Sequence, residues 1–162
     1  MSPESDNRGQ QRRLGRRCFG EAPQLAVRGV CRREWATMTI ANPVVLVVED
    51  EFLLRLVAVE LVEDAGFRAL SAANADEALS ILETRGDVWL LFTDVQMPGS
   101  MDGLSLAHAV RDRWPPVELI VTSGQRHIRA DDLPDRGRFI AKPYDRETLS
   151  QAFQEMAEMG QG

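Results

Sequence analysis

Glu49 and Asp50 stand just after a solidly apolar run, Asp94 after a second, Thr122 at the end of a third, and Lys142 after a fourth. Three carboxylates, a hydroxyl and an ammonium suit the handling of a phosphoryl group. Carboxylates about 4 Å apart repel by roughly 4 kcal/mol per pair at an effective dielectric of about 20, so three together are short of positive charge. A divalent cation relieves this, and an all-oxygen set without His or Cys selects a hard ion, Mg2+ first and Mn2+ second. Mg2+ completes its shell with waters and phosphoryl oxygens. Lys142, as a point charge, and the Thr122 hydroxyl, as a neutral donor, can take the remaining phosphoryl oxygens. Asp94 is the best-placed acceptor, on the central third strand opposite the acid pair, and its attack on phosphorus would give an acyl phosphate. A carboxylate nucleophile needs no base, so catalysis reduces to alignment and charge neutralisation.

Strands exit into water, so any one polar residue at a strand end is unremarkable. The joint pattern carries the reading, together with Lys142 being the only lysine in a chain with 18 arginines.

Such residues need a scaffold that brings strand ends together. Short runs rich in Val, Ile and Leu occur at Val44 to Val48, Val88 to Phe92 and Leu119 to Val121, with weaker ones at Arg68 to Ala72 and Arg138 to Ala141. Strands apolar on both faces belong to a buried parallel sheet. Between them lie helical stripes: Leu54, Val57, Ala58 and Leu61; Ala75, Ala78, Leu79 and Leu82 behind an Asn74/Glu77 capping box; Leu106, Ala107 and Val110; and Leu149, Phe153 and Met156 behind an Asp145 N-cap. A fourth helix is due between Ser123 and Gly137, but Pro134 and Gly137 shorten it to about two turns or a loop. The alternation predicts an α/β doubly wound parallel sheet of five strands, with ligands at the carboxyl ends of the strands beside the switch in strand order.

The chain has 162 residues, of which 44% are apolar and 27% charged, which fits one soluble domain plus a tail. Its longest apolar runs fall far short of the ~20 residues that span a bilayer. Residues 1–37 carry eight arginines against Glu4, Asp6, Glu21 and Glu34, while the rest holds 21 acidic against 11 basic side chains. An acidic body repels nucleic acid. The first 37 residues lack periodicity, so residues 1–41 are expected to be a disordered basic tail, with Met38 as an alternative start, ahead of a domain at 42–160. Cys18 and Cys31 both lie in that tail and no signal peptide precedes them, which fits a reducing cytoplasm. His108 and His127 lack ligand partners at suitable spacing and read as surface or structural residues.

From Val44 to about Glu158 the chain resembles the receiver domain of two-component response regulators. The pieces are VVEDEF at 47–52, TDVQMPG at 93–99, VTSG at 121–124 and AKPY at 141–144, in the right order on the right strands. The resemblance implies a flavodoxin-like, chemotaxis-regulator-like fold with strand order 2-1-3-4-5. Glu49 and Asp50 match the acid pair, Asp94 the phosphoacceptor, and Asp50, Asp94 and the Gln96 backbone carbonyl the direct Mg2+ ligands. Thr122 matches the switch hydroxyl, Lys142 the phosphate-contacting lysine and Phe139 the switch aromatic, and the bond from Lys142 to Pro143 matches one that is typically cis. The implied partner is a histidine kinase or histidine phosphotransfer protein, and the implied role is that of a phosphoacceptor signalling protein rather than an enzyme.

Several features shape that expectation. The segment Pro98 to Gly103 is one residue longer than usual, and Gly124 places no side chain over the phosphoryl group, so a short-lived phosphate is expected. The chain ends four residues after Glu158, which fits a stand-alone receiver, monomeric or weakly dimeric, acting by docking or as a phosphate sink. Phe52, Leu53, Leu56 and Val59 extend beyond the first helix's stripe and would suit the helical bundle of a kinase. The rival reading, a haloacid dehalogenase-like phosphatase, needs a second acid two residues after the nucleophile, where Gln96 stands. A flavodoxin-type carrier is disfavoured by the acids at 49–51, and a P-loop by the lack of its glycine-lysine motif.

Overall fold

Runs of β-branched residues and leucine with no polar face can hydrogen-bond their backbone and bury both sides only inside a parallel sheet. In a computed structural model that describes residues 43–124 and 128–159, five strands do so. They are β1 (Val44–Val48), β2 (Arg68–Ala72), β3 (Val88–Asp94), β4 (Glu118–Ser123) and β5 (Gly137–Ala141). Helices α1 (Phe52–Asp64), α2 (Ala75–Thr84), α3 (Gly103–Arg113) and α4 (Arg146–Met159) connect or follow them. All neighbouring strands are parallel, in the order β2-β1-β3-β4-β5. This is the expected doubly wound, flavodoxin-like arrangement. The proposed tail over residues 1–41, Met38, both cysteines and His127 lie outside the described residues.

Side chains of alternate strand residues feed two cores. Leu46, Val48, Leu91, Leu119 and Val121 pack under α2 and α3, while Val45, Val47, Leu90, Phe92 and Ile120 pack under α1 and α4. Phe153 of α4 is fully buried and meets Phe67 and Phe92 edge-on, with centroids 5.1 and 6.4 Å apart. Burial of one such side chain is worth about 1.5–3 kcal/mol.

The caps follow the sequence. Asn74 accepts from the Glu77 N–H, while the Glu77 carboxylate accepts from the Ala73 N–H. Asp145 accepts from the Thr148 N–H, and those bonds hold its carboxyl below the usual carboxylate range.

Two expectations need correction or refinement. In α1 the buried residues are Ala58 and Val62, whereas Leu54 and Val57 of the expected stripe are 41% and 51% exposed. Val59, expected to be displayed, is half-buried against the α1/α4 core. A helix apolar nearly all round gives no unique inward face from sequence, and packing against the sheet decides which of its positions are buried. Between β4 and β5 the only described helical turn is a 3-10 turn at Ala130–Asp132, followed by the buried Pro134. His108 of α3 anchors it, with Nε2 2.9 Å from the Asp132 carbonyl. A carbonyl only accepts, so Nε2 carries the proton.

Candidate functional site

Residues 49–51 link the end of β1 to the start of α1. The Glu49 side chain turns inward and is buried, while Asp50 is exposed. Asp94 is the last residue of β3 and pairs in register with Thr122 of β4. Lys142 follows β5, tied to β4 by its N–H, which donates to the Ser123 carbonyl at 3.0 Å. The bond from Lys142 to Pro143 is cis.

These elements bring together the charged residues singled out above. Carboxylate oxygens of Glu49, Asp50 and Asp94 lie within 4.8 Å of one another. Lys142 Nζ donates to Glu49 Oε2 at 2.6 Å and stands 3.2 Å from Asp94 Oδ1. The second contact is an ion pair without hydrogen-bond alignment, because Asp94 Oδ1 is buried with no hydrogen-bond partner. A buried carboxylate oxygen left in this state has unused acceptor capacity. Together with the all-oxygen donor set, it fits a hard divalent cation or a phosphoryl group.

Burial raises the Glu49 carboxyl above its ordinary value; the Lys142 contact pulls it back down, and the Asp94 charge pushes it further up. The Thr122 hydroxyl is buried and donates to the Thr93 carbonyl at 3.4 Å, so it rests on the β3 backbone rather than on the carboxylates. Gln96 stands exposed in the loop after β3. Phe139 is half-buried on β5, in register with Val121.

Three residues at the site escaped the sequence reading. Arg55 of α1 donates through Nη1 to the carbonyls of Glu49, at 2.6 Å, and Asp50, at 3.2 Å. Its signal was a lone cation in an otherwise apolar stretch of helix. Gly103 opens α3 hard against Asp94, whose carbonyl oxygen would lie 1.7 Å from any Cβ at that position. A glycine in the first turn of a helix, where it is a poor helix former, was the available hint. Tyr144 packs edge-on against Phe92, with centroids 5.4 Å apart. Burial first, then the charges of Glu49 and Asp94, push its phenol upward and keep it protonated.

A family model described as the response regulator receiver domain matches residues 45–154. The chain is 34% identical over 129 residues to the sensor kinase CckA of Brucella abortus, a match covering 77% of this chain and 14% of that protein. It is 33% identical over 109 residues to a putative NtrX-like response regulator of Rickettsia bellii, covering 65% of this chain and 23% of the other. The chain thus spans under a quarter of the length of these curated relatives. Among solved structures, a response regulator receiver protein from Pseudomonas putida matches with a TM-score of 0.64 at 29% identity, covering 71% of this chain and 98% of that one. The receiver domain of the hybrid histidine kinase CckA matches with a TM-score of 0.57 at 32% identity, covering 74% and 99%. Among the described residues, no helix is long and apolar enough to cross a membrane.

Proposed function

The chain belongs to the response regulator receiver family, a phosphoacceptor signalling domain of two-component systems, and from that premise we propose that Asp94 accepts a phosphoryl group from a histidine kinase or a histidine phosphotransfer protein. The observation that carries this is the pairing of Lys142 with both Glu49 and Asp94 while a buried Asp94 oxygen has no hydrogen bond.

Glu49, Asp50, Asp94 and the Gln96 carbonyl would hold Mg2+, with Asp50, Asp94 and that carbonyl as direct ligands. Bound there, Mg2+ supplies charge neutralisation for the carboxylates and for the oxygens of the incoming phosphoryl group. One Asp94 oxygen forms a bond to phosphorus as the donor's bond to phosphorus breaks. The donor nitrogen, or the donor oxygen in a small acyl phosphate, leaves with the electron pair. Lys142 neutralises an equatorial oxygen, exchanging part of its contact with Glu49 for one with the phosphoryl group. Thr122 leaves the Thr93 carbonyl to donate to a second oxygen, and Phe139 on the neighbouring strand responds to that movement.

The exposed Phe52, Leu53 and Leu56, beside the acid pair at the start of α1, suit an apolar partner surface such as the kinase's helical bundle. Output then runs through protein docking or through draining phosphoryl groups from the kinase.

The test is incubation with Mg2+ and acetyl phosphate followed by intact mass measurement. One labile adduct of about 80 Da, the mass of a phosphoryl group, is expected on the wild-type chain and none on Asp94→Asn. An adduct of equal yield on Asp94→Asn would remove Asp94 from the acceptor role.

A further inference from the structure

We propose that Arg55 is a positioning residue for the divalent-cation site, fixing the backbone turn that aims Glu49 and Asp50 at Asp94. The inference rests on the Mg2+ reading given above.

The chain has only residues 49–51 in which to pass from β1 into α1. The N-cap of α1 is Glu51, whose side chain makes no capping hydrogen bond. The turn therefore lacks the usual side-chain lock at a helix start. Arg55, one turn into the helix, supplies a different one. A single nitrogen, Nη1, meets the carbonyls of both Glu49 and Asp50. Successive carbonyls of an extended strand point to opposite sides. Their convergence on one donor requires the chain to bend at Asp50.

That bend is what the carboxylates need. Glu49 sends its side chain inward to Lys142 and Asp50 sends its own to the surface, yet their oxygens come within 4.8 Å of each other and of Asp94. The guanidinium holds backbone oxygens rather than carboxylates, so it does not occupy the oxygens a cation would use. The Phe52 ring lies 5.6 Å from the guanidinium carbon and restrains the head group from one side.

Of the two carbonyls, that of Asp50 does not by itself call for an arginine. Asp50 is exposed, and water can solvate its carbonyl. Loss of Arg55 should therefore release the geometry of the turn more than it weakens the fold.

The experiment uses the full chain and titrates Mg2+ calorimetrically into wild type, Arg55→Met, Arg55→Lys and Asp50→Asn, alongside denaturant unfolding of each without Mg2+. Replacing a group that orients metal ligands costs about tenfold or more in affinity, so Arg55→Met should weaken Mg2+ binding by that factor with at most a small drop in its unfolding midpoint from the lost bond to the Glu49 carbonyl. Arg55→Lys, with a cation but no rigid fork, should fall between it and wild type. Arg55→Met binding within about twofold of wild type, well below the loss typical of such groups, while Asp50→Asn binds weakly, would overturn the positioning role and leave the Mg2+ reading intact. A lowered midpoint with unchanged affinity would make Arg55 merely structural and also overturn it. Undiminished binding by Asp50→Asn would remove the Mg2+ reading itself.

Discussion

The Lys142 ammonium is hydrogen-bonded to Glu49 at 2.6 Å, while its contact with the Asp94 oxygen, at 3.2 Å, is an unaligned ion pair. The lone lysine therefore serves chiefly to hold the charge of a buried glutamate, and it is drawn toward Asp94 only in part.

Lys142→Met should therefore destabilise the fold, because it leaves Glu49 buried without its cation. Breaking a buried pair by removing one partner costs about 3 kcal/mol or more. The pH dependence has a definite sign. The Glu49 carboxyl already lies above its ordinary 4.5. Stability linked to it is complete below that value and is lost as pH rises through the raised native one. Removing Lys142 removes the influence that lowers it, so the native value climbs further. The gap in stability between wild type and Lys142→Met should be widest near neutral pH and shrink toward the ordinary value of 4.5, as read by denaturant unfolding at both pH values. A gap independent of pH would contradict the assignment.

Gly103 ties the start of α3 to the acceptor strand. Its N–H donates to the Val95 carbonyl at 3.1 Å, and a Cβ there would sit 1.7 Å from the Asp94 carbonyl oxygen and 2.7 Å from Thr93 Oγ1. Both neighbours belong to β3, so relief requires backbone movement at Asp94. Gly103→Ala should cost about 3 kcal/mol, the upper end of ordinary overpacking, and should slow phosphorylation by acetyl phosphate. Gly86→Ala, where a Cβ meets nothing within 4 Å, is the control and should change stability by less than about 0.5 kcal/mol. Unfolding midpoints and adduct yield, measured on both variants, check this.

How much could be read from sequence depended on whether a residue's reason lay within its own segment. The strands were legible because parallel strands buried on both faces leave solid apolar runs. Asn74 with Glu77, and Asp145 before the last helix, were legible because caps act over three or four residues. Glu49, Asp50, Asp94 and Lys142 stood out because charged groups closed otherwise apolar strands. Arg55 and Gly103 were not legible, since one contacts carbonyls five and six residues back and the other is shaped by a strand across a loop. Nor was the inward face of α1, where Leu54 and Val57 match the helical period as well as Ala58 and Val62 do, and only the sheet distinguishes them.

The apolar surface of α1 leads to a prediction that separates chemistry from partner recognition. Leu53 is 66% exposed and Leu56 51%. Replacing both with glutamine removes apolar side chains that bury little in the chain itself, so stability should hold within about 0.5 kcal/mol per site. Phosphorylation by acetyl phosphate should be unchanged, because neither side chain belongs to the acid cluster. Transfer from a purified histidine kinase that phosphorylates the wild type should slow by about tenfold, the effect of losing roughly 1.4 kcal/mol of contact. Equal slowing with both donors would place the effect in the site rather than at the surface.

The segment before β5 opposes two effects whose magnitudes decide a last outcome. Arg136 is the only described non-glycine residue with positive φ, at 61°, a conformation that costs an L-residue roughly 1–2 kcal/mol. Its guanidinium pairs with Glu118, which is buried at the start of β4 with 7% exposure. Arg136→Gly would relieve the backbone but strand a buried carboxylate, and losing one partner of such a pair costs about 3–5 kcal/mol. The loss is the larger, so Arg136→Gly should destabilise the fold by about 2 kcal/mol. Glu118→Gln removes the charge that needs the arginine. In that background Arg136→Gly should become neutral or stabilising, since only the backbone relief remains. Denaturant unfolding of the four proteins completes the cycle, and equal destabilisation in both backgrounds would show that the ion pair is not what holds Arg136 in this conformation.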